Sequence, residues 1–324
     1  MSQIQPQAEV EDLDVLPLLD AFFEEIELRS LLEAHFPVPH PNWTGLTPAQ
    51  VMMVWFCYVV DQLDHRLCPV SDWVRHHPRS LAAIVGAPVR PEDLCDDKLG
   101  YLLDVFARDQ SWEAFEAALN QRCIRLYALD QNRLIIQLDP TVGQVFRQTV
   151  EGGLCQYGHA KQHRGDLPQF KSNVAMLAGI GMLLATLTVP GHTADDGLYL
   201  PLIKKVRASL GPRRGVLWCG DVKMASMSTR AALAQSQDYY LCPLSRVQMP
   251  AARLSGLLQP VHQSQISLQT IKRHDQEIAE GFEVEHEIDH QGVRWRERWL
   301  VVRSPGHAHR QKADLHKRLD QARE

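Results

Sequence analysis

Apolar residues return every three or four positions through about the first 128 residues, the spacing that lines one face of a helix. The run LDVLPLLDAFFEEIELRSLLEAHF carries this stripe with acidic interruptions. TPAQVMMVWFCYVVDQL continues it, with Thr47 as N-cap and Pro48 at the first helical position. LGYLLDVFARD sets Leu99, Leu102, Leu103 and Phe106 on one stripe. In SWEAFEAALNQRCIRLYAL, Ser111 is the expected cap, and Trp112, Phe115 and Leu119 are expected to face inward. The pattern predicts an all-α domain over residues 1–128.

From about residue 131 the period changes. RLIIQLD is short and nearly all apolar, as a strand buried on both faces would be, and it ends on an acid, Asp139. The run VAMLAGIGMLLATLTV, residues 174–189, is shorter than the ~20 apolar residues of a membrane span. With Gly179 and Gly181 inside it, it predicts two strands joined by a glycine turn, and no membrane is expected. ADDGLYLPLIKKVRASLG predicts a helix with Leu198, Leu202, Val206 and Leu210 on one face and Gly211 at its end. GVLWCGD is a second buried strand that ends on an acid, Asp221; Ser228 opens a short helix, and DYYLCPL is a further strand.

The order strand, strand, strand, helix, strand, helix, strand is that of a ribonuclease H-like core, a meander followed by parallel strands added through right-handed crossovers. In that order the strands of Asp139 and Asp221 lie side by side, with both carboxylates at one edge of the sheet. Residues 262–303 alternate in polarity (FEVEHEID, VRWRERWLVVR), which predicts a small β subdomain. HAHRQKADLHKRLDQARE predicts a basic helix with a thin stripe of Leu315 and Leu319. The expected architecture is mixed α+β: an all-α domain (1–128), an incomplete ribonuclease H-like core (129–245), a β-rich insertion (246–303) and a basic helix (304–324) that is cut short.

Composition narrows the class. The 324 residues are 45% hydrophobic and 23% charged, enough for two or three cores. Seven scattered cysteines without a C-x-x-C pair argue against a disulfide framework or a zinc site and suit a reducing cytoplasm. The acidic, polar N-terminus is not a signal peptide. The net charge of −5 hides an asymmetry: residues 1–130 hold 9 Lys/Arg against 21 Asp/Glu, and the remainder 25 against 18. A polyanion would therefore meet the second half.

Asp139 and Asp221 suit Mg²⁺, which is held by one or two carboxylates plus substrate phosphates. Equally, each acid could simply open the turn after its strand. Lys161, His163, Arg164 and Lys171 form a basic, glycine-flanked stretch suited to phosphate contact, or a solvated loop with Asp166 as local partner. Arg294, Arg296 and Arg298 alternate along one strand and would either track DNA or form a solvated face. Asp96 and Asp97 fit a helix N-terminus better than an acid pair. Asp195 fits a helix cap, and His192 a loop.

In order along the chain, DPTVGQVF, YGHAKQHRGDLPQFK, PGHTADD and GDVKMAS resemble the DDE-type insertion-sequence transposases, in the branch with an N-terminal helical domain of uncharacterised function. The helical half is also similar, notably in LCDDKLGYLLDVF. The resemblance covers nearly the whole chain. It implies that Asp139 and Asp221 are the first and second catalytic acids, that Mg²⁺ or Mn²⁺ is the cofactor, and that the partner is DNA carrying an element's terminal repeats. The implied chemistry is strand cleavage and transfer, with water and then a DNA 3′-hydroxyl as nucleophiles. A homo-oligomer or a full-length transposase is the implied protein partner.

The resemblance also implies a third acid, a Glu in a Tyr-x₂-Arg-x₃-Glu-x₆-Lys pattern. No Tyr follows Tyr240, so the expectation is a C-terminally truncated copy, inactive on its own. Pro140 stands where the family has Thr, and Val222-Lys223 where it has an Arg-Gly-like pair. One alternative is a non-catalytic DNA-binding fragment that modulates a full-length transposase. Another is a stand-alone nuclease whose third acid comes from Asp238 or the acidic stretch 275–289.

Overall fold

The structure is a computed structural model that describes residues 10–108, 111–130, 134–158 and 164–322. The first seven helices are α1 (Leu16–Glu25), α2 (Leu28–His35), α3 (Pro48–Gln62), α4 (Val70–Val74), α5 (Pro78–Val85), α6 (Asp96–Arg108) and α7 (Ser111–Leu126). There follow strands β1 (Ile135–Gln144), β2 (Gln169–Leu177) and β3 (Met182–Pro190), then α8 (Tyr199–Leu210), β4 (Leu217–Cys219), α9 (Met227–Gln235) and β5 (Tyr239–Leu241). The last part contains α10 (Ala251–His262), β6 (Gln269–Arg273), β7 (Gln276–His290), β8 (Val293–Arg303) and α11 (Pro305–Gln321).

Five strands form one sheet in the order β3-β2-β1-β4-β5. β2 and β3 are antiparallel, whereas β1, β4 and β5 run parallel, joined through α8 and α9. This mixed α+β layout has the strand order of a ribonuclease H-like core. β6, β7 and β8 form a separate antiparallel sheet. Two compact units divide the chain: Met1–Leu134, Pro140–Thr193 and Leu200–Arg213 in the first, and Ile135–Asp139, Ala194–Tyr199 and Arg214–Glu324 in the second.

The core of the first unit is helical. Glu27, at φ 56, breaks the first apolar run into α1 and α2. Thr47 caps α3 as its sequence predicts: its hydroxyl accepts from the Gln50 amide, and the Gln50 side chain accepts from the Thr47 amide. Val51, Met52, Val54 and Cys57 of α3 are wholly buried, which makes it the central helix of the cluster. Leu99, Leu102, Phe106 and Phe115 are buried, but Trp112 is 40% exposed and rests its ring on Phe36 and Phe115 instead of entering the core. The carbonyl of Leu184 on β3 accepts from Asn120 of α7 at 2.8 Å and from Ser209 of α8 at 3.1 Å. Both donors are buried, so the bonds orient the two helices on the hairpin.

Two glycine-containing motifs meet at the start of β2. Gln156 and Gln169 exchange backbone bonds, and the Gln169 side chain donates to the Gly191 carbonyl at 3.2 Å. A Cβ at Gly158 would overlap the Gly191 carbonyl, and one at Gly191 would overlap the Gln169 carbonyl. Glycine is required there by close backbone approach.

In the second unit, the tips of β6–β7 and β7–β8 are two-residue turns with both residues at positive φ, His274-Asp275 and Gln291-Gly292. This twist suits tight hairpins. Three sequence expectations are corrected here. Ser226, rather than Ser228, caps α9, its hydroxyl accepting from the Thr229 amide. Residues 251–262, expected within a β-rich segment, form a helix. β1 does not stop at Asp139; it runs on to Gln144. Among the described residues no helix is long and apolar enough to cross a membrane.

Candidate active site: two aspartates at neighbouring parallel strands

β1 and β4 pair in parallel with Ile135 opposite Leu217, Ile136 opposite Trp218 and Gln137 opposite Cys219. The ladder ends there; Asp139 and Asp221 each lie two residues further on, Asp139 still within β1 and Asp221 at the start of the turn that follows β4. Adjacent strands lie about 4.8 Å apart. The face is fixed by alternation: Ile136, Leu138 and Trp218 are buried, so the opposite parity, that of Ile135, Gln137 and Asp139, points away from the packed layer. Asp221 shares that parity through Leu217 and Cys219.

The local chain explains how Asp221 is held. Gly220 extends the ladder to β5 by donating to the Leu241 carbonyl at 3.2 Å. The chain then turns, with the Met224 amide on the Asp221 carbonyl at 3.1 Å and the Lys223 amide on Asp221 Oδ1 at 2.8 Å. This is an Asx-type turn, so the turn role open to Asp221 in the sequence is real, and it uses one oxygen only. A second donor reaches the same oxygen: the Tyr199 hydroxyl, from the first residue of α8, at 2.5 Å. Tyr199 is buried. Burial, the bond to Asp221 and the negative charges of Asp221, Asp195 and Asp139 all push its pKa up, so it stays a protonated donor at neutral pH. Asp139 is exposed. Lys223 pairs with Asp196 at 3.2 Å on the surface. All of these residues belong to the second unit.

The donor set bears on the implied cation. Two carboxylates with oxygens left over fit Mg²⁺ or Mn²⁺, which fill their shells with water and phosphate oxygens. They do not fit a closed zinc site. Among the described residues, no three His, Cys, Asp or Glu side chains gather into a metal-holding group.

The other candidate residues are dispersed. Lys161 and His163 lie outside the described residues. Arg164 is exposed and paired with Asp166 at 2.8 Å. Lys171 is a strand residue rather than a loop residue: it is buried in β2 with its ammonium on the Thr193 carbonyl at 2.6 Å. Arg294, Arg296 and Arg298 face an acidic row on β7, with Asp289 at 2.7 Å, Glu285 at 3.2 Å and Glu283 at 3.4 Å respectively. That ladder pairs each arginine with a carboxylate on the neighbouring strand. Asp238 is buried and accepts from the Val216 amide and the Trp218 indole. Asp195 lies in the short turn before α8, and Asp96 and Asp97 in the first turn of α6.

Sequence reasoning missed Tyr199, whose place in an apolar helical stripe hides its hydroxyl, and it missed Glu297. The signal for Glu297 was present: in WRERW an acid shares the strand face of two tryptophans. The structure buries it with Arg230 at 2.7 Å and surrounds it with the Tyr240 hydroxyl and the indoles of Trp295 and Trp299.

Residues 8–118 match a family described as a domain of unknown function, DUF4277. No curated protein matches the chain by sequence. Among solved structures, the chain is similar to a piggyBac transposase synaptic complex with hairpin DNA, at 13% identity and TM-score 0.33, over 75% of this chain and 54% of that one. It is also similar to the Mos1 transposase paired-end complex with left transposon end, at 14% identity and TM-score 0.24, over 72% and 78%. The Mos1 mariner paired end complex with Mn is similar at 12% identity and TM-score 0.24, over 79% and 85%. The chain spans about half the length of the piggyBac protein.

Proposed function

We propose that the chain is a DDE-type transposase of the insertion-sequence kind, acting on DNA at the ends of its element, with Asp139 and Asp221 as two of its metal-holding acids. The observation that carries this reading is the parallel pairing of β1 and β4, the neighbouring strands that lead into Asp139 and Asp221. It is joined by the order of DPTVGQVF, YGHAKQHRGDLPQFK, PGHTADD and GDVKMAS along the chain.

Bound Mg²⁺ or Mn²⁺ would activate the attacking oxygen and stabilise the leaving one in phosphodiester cleavage. The protein's own residues do the rest. Asp139 offers an exposed carboxylate from a rigid strand. Asp221 offers the oxygen that Tyr199 and Lys223 leave uncommitted. Paired strands β1 and β4 lead into the two groups, so little reorganisation is needed when phosphate arrives. Phosphate contact falls to α11, where Arg310, Lys312, Lys317 and Arg318 are exposed, rather than to the arginine row on β8.

Two acids hold a cation weakly, so this chain alone associates with an element end in Mn²⁺ but cleaves it slowly or not at all. The test is anisotropy and gel cleavage with a labelled element end in Mg²⁺ or Mn²⁺. The expected result is DNA binding that the metal tightens, a tightening that Asp139→Asn and Asp221→Asn both abolish. Salt-sensitive DNA binding indifferent to metal and to both acids would overturn this reading, and favour a non-catalytic DNA-binding role. Robust cleavage that depends on both aspartates would instead mean that a third acid is supplied.

A further inference from the structure

Both donors to Asp221 converge on one oxygen. The Tyr199 hydroxyl reaches Oδ1 at 2.5 Å and the Lys223 amide reaches it at 2.8 Å. A carboxylate anchored through one oxygen by two donors has its plane fixed and presents the other oxygen in a set direction. The Tyr199 bond is of the short, charge-assisted kind, about twice the strength of a neutral one. It also comes from a ring that is 1% exposed, so the phenol has little freedom to follow a moving carboxylate. The Lys223 amide belongs to the turn that Asp221 itself opens and moves with it. Tyr199 comes from a different segment and is therefore the fixed reference.

We propose that Tyr199 is a positioning residue for Asp221, holding Oδ1 so that Oδ2 is aimed at a divalent cation shared with Asp139. This rests on reading the aspartate pair as a metal site. It assigns a role to a side chain that touches neither cation nor substrate. Partners of this type that orient a ligand typically change metal affinity ~10–100-fold when removed.

The consequence is selective. Mg²⁺ demands near-octahedral geometry and Mn²⁺ takes the same six-coordinate shell at oxygen sites, whereas Ca²⁺ accepts six to eight oxygens in variable geometry. Freeing Asp221 to swing therefore costs Mn²⁺ binding more than Ca²⁺ binding. The experiment titrates the full chain with Mn²⁺, reading free Mn²⁺ by paramagnetic resonance, and with Ca²⁺ by calorimetry. It compares wild type with Tyr199→Phe, Asp139→Asn and Asp221→Asn. Tyr199→Phe is expected to lower Mn²⁺ affinity about 10-fold and Ca²⁺ affinity far less. Wild-type Mn²⁺ binding in Tyr199→Phe, alongside its loss in both aspartate variants, would sink the positioning role and leave the site intact. Parallel loss of Mn²⁺ and Ca²⁺ would also sink it, since a general fold defect lowers both. Unchanged binding in all three variants would remove the metal site itself, and the role of Tyr199 with it.

Discussion

Two carboxylate environments in the second unit differ in how completely they are used. Glu297 is buried and accepts from the Arg230 guanidinium, the Tyr240 hydroxyl and two indoles, so both its oxygens are committed. Asp139 is exposed, and Asp221 has both its donors on one oxygen. A fully satisfied buried acid specifies structure, because its buried partners, the Arg230 charge above all, lose their acceptor without it. An acid with oxygens left uncommitted specifies little structure and keeps capacity for a ligand.

The sharpest way to break this comparison is Glu297→Ala. It strands the Arg230 charge, which is almost fully buried, and is expected to cost about 3–5 kcal/mol, read as a fall in the urea midpoint by tryptophan fluorescence. Replacing both partners together, Arg230→Met with Glu297→Leu, is expected to cost much less, since no charge is left unpaired. A double variant as unstable as the single one would show that Glu297 acts through packing.

Acid titration tests the same group with no change of sequence. Burial acts to raise the Glu297 pKa, but the Tyr240 and Trp299 bonds, the Arg230 charge and the Trp295 bond outweigh it and hold it below its ordinary 4.5. A folded value below the unfolded one adds stability that is fully present above pH 4.5 and is lost as pH falls through the folded value. The urea midpoint is expected to drop on acidification below that point, and Glu297→Gln to flatten the drop.

The aspartate pair should behave in the opposite way. Asp139→Asn and Asp221→Asn are each expected to change stability by less than about 1 kcal/mol while abolishing Mn²⁺ binding. A large loss of stability in Asp139→Asn would place it with Glu297. The smallest effect belongs to the surface ladder of β7 and β8. Arg296 is exposed beside Glu285, and Arg296→Ala is expected to cost about 0–1 kcal/mol and to leave DNA affinity unchanged.

Much of the layout was legible along the chain because it is local. The change from helical to strand period after the helices, the Thr47 cap, the glycine-turned hairpin of β2 and β3, and the apolar face of α8 all depend on residues within a few positions of one another. The adjacency of the strands carrying Asp139 and Asp221 followed from element order, since parallel strands are linked by right-handed crossovers. Local signals also misled. Trp112 sits at the right spacing to face inward, yet its helix has the aromatic cluster at its edge and leaves the ring partly in water. Lys171 looked like part of a basic loop, but the strand begins earlier than the composition suggested and carries it inside.

The sequence alone determined the order of the main helices and strands from the first helical run to β5, because those choices are made by spacing, caps and turn residues. It did not determine the helix over residues 251–262. The tertiary structure alone decided which polar groups are spent. Strand register put an acidic row opposite Arg294, Arg296 and Arg298. Chain folding brought Tyr199 to Asp221 across 22 positions and Arg230 to Glu297 across 67. Hydrogen bonds act at about 3 Å in space, whatever the distance along the chain, so periodicity cannot reveal which carboxylate is consumed and which stays available.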